Sequence, residues 1–263
     1  MLECVVNVSE GRDPAVLAAL RDAAGDALLD VHTDPHHHRT VLTLLGEDAP
    51  RAVATVAVDR IDLRAHDGVH PRLGVVDVVP FVALDGSAPA DAVRARDEFA
   101  SWFAATHVVP CFVYGPERTL PEVRRTAFRG LDPATGPSVP HPTAGASAVG
   151  ARPVLVAYNL WLRGDLATAR AIAAAVRGPA IRALGLPVGD RVQVSMNLIA
   201  PDEVGPAAAF DLVEAAATER VARVEGAELV GLLPAAVLAR IPSGRWTELD
   251  LAEDRTIEAR LVS

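Results

Sequence analysis

Arg152-Pro153-Val154-Leu155-Val156-Ala157-Tyr158-Asn159-Leu160-Trp161 and Gln193-Val194-Ser195-Met196-Asn197-Leu198 are the two stretches on which the fold is read. Both are short, aliphatic and aromatic, with the length and residue types of strands. Around them the hydrophobic period switches between two and 3.6 residues. It predicts a strand over 152–161, a helix over 165–177, strands over 181–187 and 191–199, a helix over 205–223 and a strand over 226–233. That βαββαβ order is of the ferredoxin-like type. Upstream, Val5-Val6-Asn7-Val8 reads as a strand, and Asp13-Pro14 opens a helix over 13–24 with Val16, Leu17, Leu20 and Ala24 on one face. Strands over 27–32 and 39–46 follow, then a helix over 49–61, a buried strand Val75–Val82, a helix opened by Ser87 and Pro89, and a strand near 109–114. The expected fold class is α+β, with two ferredoxin-like-related subdomains, each a β-sheet with helices on one face and a groove between them. Residues 128–150 are too rich in Pro and Gly for a regular element, and the boundary is placed there, giving 1–147 and 148–263. No G-x-G-x-x-G follows a strand and no Walker motif occurs, so a dinucleotide or phosphate-loop site is not expected.

The 263 residues are 50% hydrophobic, which supports a sizeable core. The 25 basic residues against 34 acidic ones give a formal charge of -9, which argues against a nucleic-acid or anionic-membrane partner. Every basic residue is Arg. The absence of Lys excludes a lysine Schiff base and a phosphate-loop lysine, and leaves any anionic ligand to local guanidinium groups. Cys4 and Cys111 are too few for a disulfide framework and read as reduced core thiols. With no signal-peptide pattern after Met1 and no apolar run of about 18 residues, a cytoplasmic location is expected.

Six of the eight histidines, His32, His36, His37, His38, His66 and His70, fall between positions 32 and 70. One reading is a polar turn with ordinary, partly buried imidazoles; a metal site is a second. The cluster lacks H-E-x-x-H or Cys-x-x-Cys spacing, and no metal is expected. A third reading centres on Arg64-Ala65-His66-Asp67-Gly68-Val69-His70-Pro71-Arg72-Leu73-Gly74. A histidine with a guanidinium two residues on suits acid/base chemistry on an anionic substrate: a base near neutral pKa beside a bidentate carboxylate clamp.

This loop resembles the H-x-G-x-H-P-R-x-G segment of the glutamate formimidoyltransferase family, whose domain also forms the N-terminal part of formiminotransferase-cyclodeaminases. Glu3-Cys4-Val5-Val6-Asn7-Val8-Ser9-Glu10-Gly11 resembles the family's E-C-V-x-N-x-S-E-G, and Leu29-Asp30-Val31 with Arg39-Thr40-Val41 and Gly46 its next block. Gly74–Phe81, Gly145 through Arg152 into Asn159, Gln193–Leu198 and Leu229–Pro234 continue the resemblance in order. The chain departs from the family pattern at His38 for a usual Asn, at Val69 for a frequent Glu and at His32 for an Asp. These departures bear on the acceptor and leave the fold assignment untouched.

The resemblance implies a transferase of histidine degradation and one-carbon metabolism, moving a formimino group between N-formimino-L-glutamate and tetrahydrofolate, with tetrahydrofolate as co-substrate. It makes His70 the proton shuttle, Arg39 and Arg72 the carboxylate ligands, and His38 and His32 neighbours of the amino-acid end of the pocket. Asp77 is expected either to orient His70 or Arg72, or to be structural; His66 is a second proton carrier or a loop residue. Folate is expected along Gly136, Pro137, Ser138 and Gly145 on one wall and Gln193, Ser195 and Asn197 on another. A homodimer is the expected assembly, and with the chain ending at Ser263 no cyclodeaminase domain is expected. Two other functions stay open on the residues alone: a folate-binding protein or a transferase with a different amine substrate, and a metal-assisted amidine hydrolase.

Overall fold

Alternation along β1 (Leu2–Val8) sends Leu2, Cys4, Val6 and Val8 to one face, where they join Leu20 of α1 (Pro14–Ala24) and Val53 of α2 (Asp48–Arg60) in a single core. Asp13 starts α1 by accepting the N–H groups of Ala15 and Val16. β2 (Leu28–Asp34) and β3 (Arg39–Leu45) form an antiparallel pair, and β3 and β4 (Val76–Ala83) flank β1 antiparallel. The computed structural model describes residues 1–262, and the chain divides into Met1–Pro153 and Val154–Ser263.

In the first unit the sheet order is β2-β3-β1-β4-β6-β5. Its first six elements, β1-α1-β2-β3-α2-β4, are a βαββαβ motif with strand order 2-3-1-4. α3 (Pro89–His107) then leads to β5 (Cys111–Tyr114) and β6 (Ser147–Ala151), which extend the sheet by parallel pairing of β4 with β6 and of β6 with β5. α4 (Leu120–Thr126) packs Val123 against Phe112, Tyr114 and Ala148, on the sheet face opposite the main core. The two-subdomain α+β fold is as expected, with α4 added on the second face of the first sheet.

In the second unit β7 (Val156–Arg163), α5 (Leu166–Val176), β8 (Ile181–Val188), β9 (Arg191–Leu198), α6 (Pro206–Thr218) and β10 (Arg223–Val230) form an antiparallel sheet of order β10-β7-β9-β8. Numbered within the unit, this is 4-1-3-2, the first unit's motif repeated. Val192, Val194, Met196 and Leu198 meet Ile172 of α5 and Phe210 of α6 in the core. The alternate residues of β9, Gln193, Ser195 and Asn197, lie on the other sheet face. α6 ends at Thr218, earlier than the expected 223, and the chain passes through a left-handed Val221 into β10. The C-terminal segment closes the β10 edge. Asp250 accepts the Leu229 N–H at 2.8 Å, and Arg255 donates to the Leu229 carbonyl at 2.6 Å.

The division after Pro153 lies beyond the expected boundary at 147/148, because Ser147–Ala151 is a strand of the first sheet. No described helix is long and apolar enough to cross a membrane.

Candidate active site

Two loops of the first unit are packed against each other, each shaped by side-chain-to-backbone hydrogen bonds. Between β2 and β3, Asp34 Oδ1 accepts the N–H groups of His36 and His37 at 2.7 and 2.8 Å, an Asx turn favoured by Pro35. His38 ends this turn with φ +51°, in the left-handed region. Its Nδ1 accepts the Gly11 N–H at 3.1 Å, and its ring stacks on His66 with centroids 4.2 Å apart. Glu10 Oε1 collects the N–H groups of Gly11, Arg12 and Asp13 and lies 3.4 Å from His38 Nδ1. The second loop contains Gly68, where a Cβ would fall 2.3 Å from the His37 carbonyl oxygen. Only glycine permits that approach. The two loops, with Ser9 and Asp77, line a narrow pocket that also holds Arg39, His70 and Arg72.

At His70 the hydrogen bonds assign the tautomer. Nδ1 lies 2.8 Å from the Pro71 carbonyl, which can only accept, so Nδ1 carries the hydrogen. Arg39 Nη1 lies 2.6 Å from Nε2 and also 2.6 Å from Nδ1, and it donates to the bare nitrogen, Nε2. Burial, and then the charges of Arg39 and Arg124, push the imidazole pKa far below the usual histidine value, so His70 is neutral. Burial also lowers Arg39, to about 10, against the opposing charge of Asp77. The neutral imidazole thus presents its basic nitrogen to a guanidinium, and an anion that drew Arg39 away would uncover it.

Arg72 donates to the carbonyls of Gly68 at 2.7 Å, His66 at 2.9 Å and His70 at 3.1 Å, and so closes its own loop. Both His66 nitrogens are engaged. Nε2–H donates to the His38 carbonyl at 2.7 Å, and Nδ1 accepts the Gly68 N–H at 3.1 Å. Burial lowers the pKa of both His38 and His66, favouring neutral rings. Among the described residues Asp77 hydrogen-bonds neither His70 nor Arg72. Its carboxylate accepts the Leu73 N–H at 2.7 Å and Arg124 Nη2 at 2.6 Å, and Arg124 Nη1 donates at 3.0 Å to the same Pro71 carbonyl that holds His70. Asp77 thus acts on His70 through α4.

The structure therefore brings His38, Arg39, His66, His70, Arg72 and Asp77 together. His32, half-buried on β2 opposite Val41, stands outside this lining. Gly136 and Ser138 are exposed and Pro137 half-buried, while Gly145 is buried in a bridge to Gly74. Gln193 is fully buried, donating to Glu228 at 3.2 Å; Ser195 is half-buried and Asn197 exposed. Sequence reasoning missed Arg124, although Thr119-Leu120-Pro121-Glu122 is a capping box with Pro in the first turn and announces α4. It also gave His37 no role beyond the turn, and the only available signal there was Asp34 three residues earlier. Among the described residues no group of three or more His, Cys, Asp or Glu side chains is arranged to hold a metal ion.

Residues 1–152 match the family model described as the formiminotransferase domain, N-terminal subdomain. A glutamate formimidoyltransferase of Streptococcus pyogenes is 33% identical over 270 residues, covering 90% of each chain. One from Thermoplasma acidophilum is 32% identical over 268 residues, 89% of this chain and 88% of that one. The formimidoyltransferase-cyclodeaminase of Sus scrofa is 32% identical over 271 residues, 89% of this chain and 50% of its own length. With its HPR loop folded onto Arg39 and its similarity running through both units, the chain belongs to the formiminotransferase family.

Proposed function

We infer that the chain transfers a formimino group between N-formimino-L-glutamate and tetrahydrofolate, with tetrahydrofolate as co-substrate. The observation that carries this reading is the similarity, over about nine-tenths of both lengths, to a protein named for that reaction. The pocket supports it chemically. A substrate carboxylate is bound by Arg39, whose planar fork suits two parallel hydrogen bonds. Engaging that carboxylate takes the Arg39 N–H away from His70 Nε2 and removes a positive neighbour that depresses the imidazole pKa. His70 becomes basic only when substrate is present. Arg72 contributes to anion binding with the N–H groups its loop carbonyls leave free, and otherwise keeps His70 in place. The same reading carries a cytoplasmic setting for two buried free thiols, Cys4 and Cys111, and a homodimer as the working assembly.

The test is a mixing experiment. Purified protein with formiminoglutamate and tetrahydrofolate should give a folate spectral change dependent on both substrates and retained in chelator. Arg39→Lys should chiefly raise KM for formiminoglutamate, because a point charge cannot reproduce a bidentate contact. Tight folate binding without turnover would overturn the reading in favour of a binding protein, and loss of activity in chelator would favour a hydrolase.

A further inference from the structure

Of the four imidazoles that line the pocket, His37 is one that the reaction as written above does not use. His37 is 7% exposed. Its Nδ1 lies 2.7 Å from Asp34 Oδ2, while Asp34 Oδ1 takes the two backbone N–H groups of the turn. Burial raises the Asp34 carboxyl, but the hydrogen bonds from His37 and the turn outweigh it and bring the pKa down to about 2. Asp34 is thus an ionised acceptor at neutral pH, so Nδ1 of His37 carries a hydrogen, and in the neutral ring Nε2 is the nitrogen with the lone pair. That Nε2 is fully buried and has no hydrogen-bond partner among the described residues. Buried polar atoms are almost always paired, and one left bare beside the pocket is placed to meet a ligand there. The ring lines the same pocket as His70 and meets it edge to face, with centroids 6.0 Å apart and planes at 75°.

The two histidines are set up in opposite ways. His70 has its basic nitrogen covered by a guanidinium, whereas His37 has its basic nitrogen bare and a carboxylate behind the ring. A carboxylate on the far nitrogen fixes the tautomer and stabilises the imidazolium that forms when the near nitrogen takes a proton.

Resting on the formimino-transfer reading, we propose that the Asp34–His37 pair is an acid/base dyad of this chain, with His37 Nε2 taking the proton of the attacking folate amine. The lone pair of N5 forms the new C–N bond at the amidinium carbon, and the C=N π pair moves onto the terminal nitrogen. The N5 proton passes to His37 Nε2, leaving the imidazolium against the Asp34 carboxylate. The C–N bond to the glutamate nitrogen then breaks with its electron pair staying on that nitrogen, which takes the proton back from His37. The terminal nitrogen's pair restores the C=N bond. Charge and protons balance without an external acid, oxidant or metal. In this scheme His70, once released by Arg39, holds the amidinium through a hydrogen bond and does not have to serve both nitrogens.

The test uses the full chain and the spectral transfer assay. His37→Ala should lower kcat about 10²- to 10⁴-fold with KM for both substrates little changed, and added imidazole should restore part of the rate. Asp34→Asn, which keeps the turn's acceptor oxygen but no charge, should lower kcat by less. If His37→Ala fails to fold, as judged by circular dichroism, Asp34→Asn decides. Near-wild-type kcat in a folded His37→Ala, or in Asp34→Asn when that variant decides, would overturn the proposal while leaving the transfer reading intact. An absence of transfer by the wild-type chain would instead overturn the transfer reading on which the dyad rests.

Discussion

At the scale of single residues, backbone conformation explains one departure from the family pattern better than pocket chemistry does. His38 sits at φ +51°, where Asn, Asp and His are the side chains most readily accommodated after glycine. The usual Asn and the His found here meet the same backbone demand. The His ring adds a hydrogen bond from Gly11 and the stack on His66. His38→Asn should accordingly leave the fold close to wild type, whereas His38→Val, β-branched in a left-handed position, should cost about 1–3 kcal/mol. Urea unfolding midpoints of the two variants check this, and equal midpoints would remove the conformational explanation. The sequence showed which residue departs but not its φ angle, since a dihedral is imposed by the neighbouring chain. The hydrogen-bond economy of Arg72 was hidden in the same way: a guanidinium after H-P looks free to bind a ligand until the carbonyls of its own loop are seen to surround it.

Among elements, α4 carries the largest share of what the sequence concealed. The seven-residue helix has no long apolar period to mark it, and it lies between stretches dominated by Pro and Gly. Through Arg124 it joins Asp77 of β4 to the Pro71 carbonyl, and so fixes the peptide that orients His70. The Asp77 side chain is 3% exposed, so removing its partner strands a buried charge. Arg124→Met should destabilise the protein by about 3 kcal/mol or more and lower kcat. Adding Asp77→Asn should recover much of the stability and none of the kcat, and Arg124→Lys should recover part of both. Thermal melts run beside kinetics separate the two effects; a double variant that regains full activity would reduce Arg124 to a structural role. β6 escaped notice for a related reason. Ser147-Ala148-Val149-Gly150-Ala151 is made of small residues with one β-branched side chain, and Gly150 lies where a Cβ would meet the Tyr114 ring at 2.1 Å. Its small residues serve close packing, a demand that strand propensity does not register.

For the whole molecule, the repeat of one βαββαβ motif was readable because Val192, Val194, Met196 and Leu198, and likewise Cys4, Val6 and Val8, alternate with residues of the other face. The parallel extension β5–β6 was not, because a crossover of that length gives no local sign of which strand it will join. The second unit has its own core, from Val156 through Ile172 and Phe210 to Leu251. Residues 154–263 expressed alone should therefore unfold in one cooperative urea transition; a gradual, non-sigmoidal loss of ellipticity would show that the core is insufficient by itself. The Asp250 and Arg255 contacts on Leu229 have a further effect. An open β-strand edge is a template on which another chain can polymerise, and here the donor and acceptor of Leu229, near the C-terminal end of β10, are occupied by side chains of opposite charge. Pairing of an added strand at Leu229 is thereby blocked, and at the opposite margin Pro187 in β8 withholds an amide from any incoming chain. The second unit's sheet thus carries, at each of its two borders, a feature that works against open-ended strand addition.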